Sequence, residues 1–128
     1  MKKEKNIEEK IAEFRDICIR RYNALYLEND YKKGNSLEEK LIEQAKELIV
    51  SDKGVECLFS LLYDENEIVR YYSASIIFSL YPREAKKTLK DIEKKGKTHL
   101  ASNVKYVIQN YEQGNNYFQK FLKERENS

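Results

Sequence analysis

Apolar residues recur along this chain at steps of three and four, the repeat of a helix with one buried face, and no segment alternates with period two over a useful length. Ile7, Ile11, Phe14, Cys18, Tyr22 and Leu25 predict one long amphipathic helix. The polar stretch through Asn29, Asp30, Lys32, Lys33, Gly34 and Asn35 then breaks the pattern. Ser36 followed by Glu39 reads as a capping box, in which the hydroxyl accepts from a free backbone amide and the carboxylate reaches back. The helix it opens carries Leu37, Leu41, Ala45 and Leu48 on one face, with Ile42 and Ile49 beside them.

Gly34, Gly54, Gly96, Gly114 and the single Pro82 fall between these segments, where helices are expected to end. A short, largely apolar helix is predicted over 55–63, after which Asp64 stands as an N-cap with Glu67 three residues on. From Ile68 to Tyr81 apolar residues lie all round the helical wheel, so this helix should be central and covered on most sides. Pro82 excludes the helical conformation at Tyr81 and can open the next helix, which turns Ala85, Leu89 and Ile92 inward. Beyond Gly96 the stripe is Leu100, Val104, Val107 and Tyr111 with Ile108 alongside; beyond Gly114, Tyr117, Phe118, Phe121 and Leu122 should dock as a last short helix. The expectation is an all-α chain of six or seven helices in antiparallel pairs.

Size and charge exclude several classes. A chain of 128 residues reads as one domain, 1–128, able to bury roughly two-thirds of its unfolded surface. Its 24 basic and 22 acidic side chains nearly cancel, which suits neither a general polyanion binder nor a membrane-surface protein. The longest uncharged stretch, 71–82, is too short to span a bilayer, and the basic start at Met1–Asn6 has no apolar run behind it, unlike a signal peptide. Cys18 and Cys57 sit far apart on helical patterns and suit a reducing cytoplasm as small core residues.

Over 54–114 the order is an apolar helix, Asp64, Ile68-Val69-Arg70, small residues Ser73-Ala74-Ser75, Pro82-Arg83-Glu84-Ala85, Leu89, then Tyr111-Glu112-Gln113-Gly114. This pattern resembles a family of short bacterial HEAT-repeat-like proteins classified as a domain of unknown function, some relatives of which sit in polymorphic-toxin loci as presumed immunity proteins. The resemblance implies a HEAT-like stack of helical hairpins (an α-solenoid), with the clearest hairpin at 55–81, a second pair at 83–113 and a terminal helix at 116–125. It also implies that Asp64 and Arg70 are structural, hydrogen-bonding between neighbouring repeats. The chain departs from the usual Ala-Ala pair after the Arg, with Ser73-Ala74 in its place. A scaffold of this kind binds other macromolecules and usually catalyses nothing.

Enzymatic chemistry finds little in the residues. The single His99 has no second His or Cys at ligand spacing and no positioned partner for a general-base role, and it reads as a surface or capping residue. No glycine-rich phosphate loop and no nucleophile elbow is present, so no catalytic, cofactor or metal residue is assigned.

Binding surfaces are more legible. Ten tyrosines with no tryptophan favour an interface, since tyrosine is enriched at hot spots. Tyr71, Ser75 and Phe78 form a row on the central helix, and Tyr106, with Lys105 and Gln109, points away from the apolar seam of its own helix. These six are the candidate protein-binding residues; the alternative is that the row packs against the terminal helix with Phe118 and Phe121, or forms a dimer. Glu38, Glu39, Glu43 and Glu47, with Asp64, Glu65 and Glu67, make an acidic side that could match a basic toxin domain and speed its association. Over 83–97, seven basic residues stand against three acidic ones, and Lys86, Lys90 and Lys94 lie along one ridge. Such a ridge could follow phosphates, although no aromatic residue is interleaved to stack a base. The sequence thus points to a cytoplasmic scaffold that binds another protein, with a nucleic-acid-binding repeat, or a homodimer or adaptor, as alternatives.

Overall fold

The computed structural model describes residues 5–127, and among them every regular element is helical. Seven α-helices follow one another: α1 (Ile7–Tyr26), α2 (Tyr31–Ile49), α3 (Asp52–Ser60), α4 (Glu67–Ile77), α5 (Pro82–Lys95), α6 (Val104–Glu112) and α7 (Tyr117–Glu126). Short 3-10 turns at Leu61–Tyr63 and His99–Asn103 precede α4 and α6. The chain forms two compact units, Met1–Cys57 and Leu58–Ser128, and their boundary falls inside α3.

The first unit is built on an antiparallel α1/α2 hairpin. Leu25 near the end of α1 lies against Gly34 near the start of α2, while Arg21, one turn earlier, donates to Glu38, one turn later, at 3.1 Å. Phe14, Ile17, Cys18 and Tyr22 of α1 and Leu37, Leu41, Ala45 and Leu48 of α2 are buried, as the stripes predict. The turn differs from the capping-box expectation. Asn29 takes a left-handed backbone (φ 53°), which asparagine tolerates, and Asp30 caps α2 by accepting from the Lys33 amide at 3.0 Å. Ser36 therefore lies inside α2, and Gly34 ends no helix: a Cβ there would come within 2.5 Å of Leu25 Cδ2. Gly54 likewise sits inside α3, where Ser51 Oγ accepts from its amide at 3.0 Å, and an added Cβ would meet the Leu48 carbonyl.

The second unit packs α4 antiparallel to α5. The first residue of α4, Glu67, reaches the chain just past α5 at Lys97 and Thr98, while Pro82 opens α5 soon after α4 ends. In α4, Ile68, Val69, Tyr71, Tyr72, Ser73, Ala74, Ile76 and Ile77 are all buried, matching a helix apolar on every side. By contrast α5 buries only Ala85, Leu89 and Ile92, the inward set its sequence predicts. The last stripe shifts in register: Leu100, Val104 and Ile108 are buried, whereas Val107 and Tyr111 are half-buried. Gly114 (φ +76°) turns the chain after α6, and α7 then docks through Phe118, with Phe121 and Leu122 half-buried.

Candidate functional site

The hairpin turn that leads into α4 is held by three side chains with separate tasks. Asn66, rather than the expected Asp64, is the N-cap, its Oδ1 accepting from the amides of Ile68 at 2.9 Å and Val69 at 3.3 Å. Asp64 accepts from the Asn66 amide at 2.9 Å and so shapes the turn. Arg70 donates to the Asp64 carbonyl at 2.7 Å, closing the turn from one helical turn further on. The bond expected between neighbouring repeats is thus formed within a single hairpin, and it uses the Asp64 backbone.

Glu67 does not complete a capping box. Its carboxylate accepts from the Lys97 amide at 3.0 Å, the Thr98 amide at 2.9 Å and the Thr98 hydroxyl. Burial works against its charge, but the Thr98 hydroxyl, the Lys97 and Thr98 amides and nearby Arg70 outweigh that, holding its carboxyl below the usual range. Thr98 Oγ1 in turn accepts from the Leu100 amide at 3.2 Å. One carboxylate therefore ties the start of α4 to the loop after α5.

Most of the candidate aromatic row lies inside the molecule. Phe78 is 1% exposed and stacks on Tyr111 with ring centroids 4.2 Å apart. Tyr71 is 8% exposed, and the Ser75 hydroxyl donates to its carbonyl at 2.9 Å. Asn116, just before α7, donates to the Ser75 carbonyl at 3.1 Å while capping α7 through the Gln119 amide. The expected surface is corrected at two of its residues: Tyr71 and Phe78 are buried, Ser75 is half-buried, and α7 is fastened beside them. Lys105, Tyr106 and Gln109 are exposed on α6, with Tyr106 at 64%.

Lys86, Lys90 and Lys94 of the expected ridge are all exposed on α5. An open groove of about 740 Å³ lies between the 3-10 turn with Asp64 (Leu62, Tyr63, Asp64) and the outer side of α5, with Arg70 also lining it. Its α5 wall carries Arg83, Lys87, Lys90 and Lys94, at steps of four, three and four, with Thr88 and the carboxylates Glu84 and Asp91 between them. Lys90 and Lys94 of the expected ridge line this groove together with Lys87, whereas Lys86, also exposed, does not. Tyr63, 72% exposed, brings to these lysines the aromatic ring that the local sequence of α5 lacks.

Some of the acidic residues make internal ties. Glu38 pairs with Arg21, and Glu67 holds the loop at Thr98. Glu43 and Glu47 line a cleft of about 400 Å³ in the first unit, with Lys5, Lys10 and Glu13. His99 is exposed at the start of its 3-10 turn. Among the described residues no group of three or more His, Cys, Asp or Glu side chains is placed to hold a metal ion, and no helix is long and apolar enough to cross a membrane.

No protein-family model matches this chain, and no curated protein matches it. Among solved structures it is similar to the crystal structure of the protein RPA1889 from Rhodopseudomonas palustris CGA009, with a TM-score of 0.75 and 24% identity over 85% of this chain and 90% of that one. Sequence identity at this level establishes a common fold alone.

Proposed function

We propose that this protein is a non-catalytic, HEAT-like helical scaffold that acts in the cytoplasm by binding another protein. In its most specific form it is an immunity protein that neutralises a cognate bacterial toxin by direct binding. The observation that carries the reading is the two most exposed tyrosines of a well-filled second unit. Tyr63 is 72% and Tyr106 64% exposed, while Tyr71, Tyr72 and Phe78 of the same unit are buried. A large ring on a short, packed element offers contact area at low cost in side-chain entropy, as interface hot spots do. The antiparallel α4/α5 pair, together with the turn before α4 that Arg70 closes, supports the hairpin architecture.

Affinity capture from the native host's lysate tests this, with tagged protein compared against a Tyr63→Ala/Tyr106→Ala control. The expected result is one stoichiometric protein partner that is lost in the control. An identical set of captured proteins with both baits, or no captured protein alongside a concentration-dependent dimer mass, would overturn it in favour of self-association.

A further inference from the structure

We infer that the groove between Tyr63 and α5 receives an extended acidic segment of the partner protein, an inference that rests on the protein-binding reading above. Arg83, Lys87, Lys90 and Lys94 all face this groove, and each is exposed. Eleven residues of helix at 1.5 Å each set the first and last of these about 16 Å apart, the reach of about five residues of extended chain. Alternate side chains of an extended peptide recur about every 7 Å, close to the roughly 6 Å between Arg83 and Lys87 and within reach of the wider gap to Lys94. Carboxylates at every second or third position can therefore meet the basic residues in turn. Tyr63 stands at the edge of the same groove, where its face can cover an apolar side chain of the segment.

The carboxylates in the groove separate a peptide from a nucleic acid. Asp64, Glu84 and Asp91 lie among the basic residues, Asp91 pairs with Lys95 at 3.6 Å, and Lys90 pairs with Glu93 at 3.4 Å. A phosphate backbone carries charge at every unit and must run past those three carboxylates. A peptide can place uncharged residues opposite them. The mixed lining thus selects a spaced acidic sequence over a uniform polyanion.

Fluorescence anisotropy of a labelled octapeptide of alternating glutamate and alanine with the full-length protein at low salt tests the inference, with an eight-nucleotide oligo-dT as comparator. The peptide is expected to bind more tightly than the oligonucleotide. Lys87→Glu/Lys94→Glu should weaken it about tenfold or more, whereas Lys86→Glu/Lys97→Glu, outside the groove on the same basic segment, should change it about twofold or less. Tighter binding of oligo-dT would assign the groove to nucleic acid and overturn the proposal. So would equal losses from the two charge-reversal pairs, or no peptide binding by a protein whose helical circular dichroism is intact. Absence of peptide binding with the lysate partner still captured would sink the groove inference alone; loss of the partner in every assay would sink the scaffold reading with it.

Discussion

Helices α4 and α5 are neighbours in sequence and in space, yet they resolve their surfaces in opposite ways. Eight of the eleven residues of α4 are buried, Tyr71 among them, as is Phe78 just past its end, two rings that looked suited to a partner. Three residues of α5 are buried, and its charged remainder forms one wall of the groove. Aromatic content is a poor guide to a binding face when a later element can cover it. Here Tyr111 of α6 takes the Phe78 ring, and Asn116 fastens the start of α7 to the Ser75 carbonyl. The lysines of α5 are exposed, so their side stays open.

Breaking the packed side should cost stability heavily. Phe78→Ala removes a ring that is 1% exposed and leaves Tyr111 without its stacking partner, so a loss of about 3–5 kcal/mol is expected in urea unfolding followed by circular dichroism. A loss under about 1 kcal/mol would mean that Phe78 is not core.

A smaller effect is expected at Glu67. Glu67→Ala removes a charged acceptor from two amides and a hydroxyl, for about 1–3 kcal/mol at neutral pH. The sign of its pH dependence follows from its lowered folded pKa. Stability from this carboxylate is fully present above its unfolded value, about 4.3, and is lost as pH falls through the folded one. The gap between wild type and Glu67→Ala should therefore narrow below about pH 4. A gap that stays constant to pH 3 would show that the ion is not what holds the loop.

Asn116→Ala should cost about 1 kcal/mol by removing both the α7 cap and the bond to the Ser75 carbonyl. Hydrogen exchange at the amides of α7 is the sharper readout, because that helix should open first. Ser73 offers a test of opposite sign. Its hydroxyl is fully buried and finds no hydrogen-bond partner, so Ser73→Ala is expected to be neutral or to stabilise by up to about 1 kcal/mol. Destabilisation beyond that would reveal an unrecognised bond of the hydroxyl.

On the open side the effects on stability should nearly vanish. Lys87→Glu/Lys94→Glu is expected to shift unfolding by about 0.5 kcal/mol or less, since both residues are exposed and touch no core. A variant that unfolds would merge the two sides of the comparison.

Much of the fold was legible because helical period, Pro82 and Gly96 are local signals. Stripes such as Leu37–Leu41–Ala45–Leu48 and Ala85–Leu89–Ile92 are buried as read. Helix starts were less legible wherever several capping residues stood close together. Asp30 precedes Ser36 by six residues and Asn66 follows Asp64 by two, and backbone geometry, here the left-handed Asn29, decides between such candidates. The site was harder still. An all-apolar helix does not say which of its sides will be covered, so the Tyr71–Ser75–Phe78 row could not be told from surface. Lys86 and Lys87 differ by one residue, a rotation of about 100° on the helix, and only the position of the Leu62–Asp64 turn decides which faces the groove. Glu67 and its partner at Thr98 lie 31 residues apart, beyond any local pattern.

The most direct test places a photo-crosslinking amino acid, benzoylphenylalanine, at position 63 in the native host, with position 117 on α7 as an exposed control. The expected result is a covalent adduct of defined mass with one protein from position 63, lost on adding Lys87→Glu/Lys94→Glu, and none from position 117. An adduct from position 63 that survives the charge reversal, or adducts from position 117 alone, would contradict the placing of the binding surface between Tyr63 and α5.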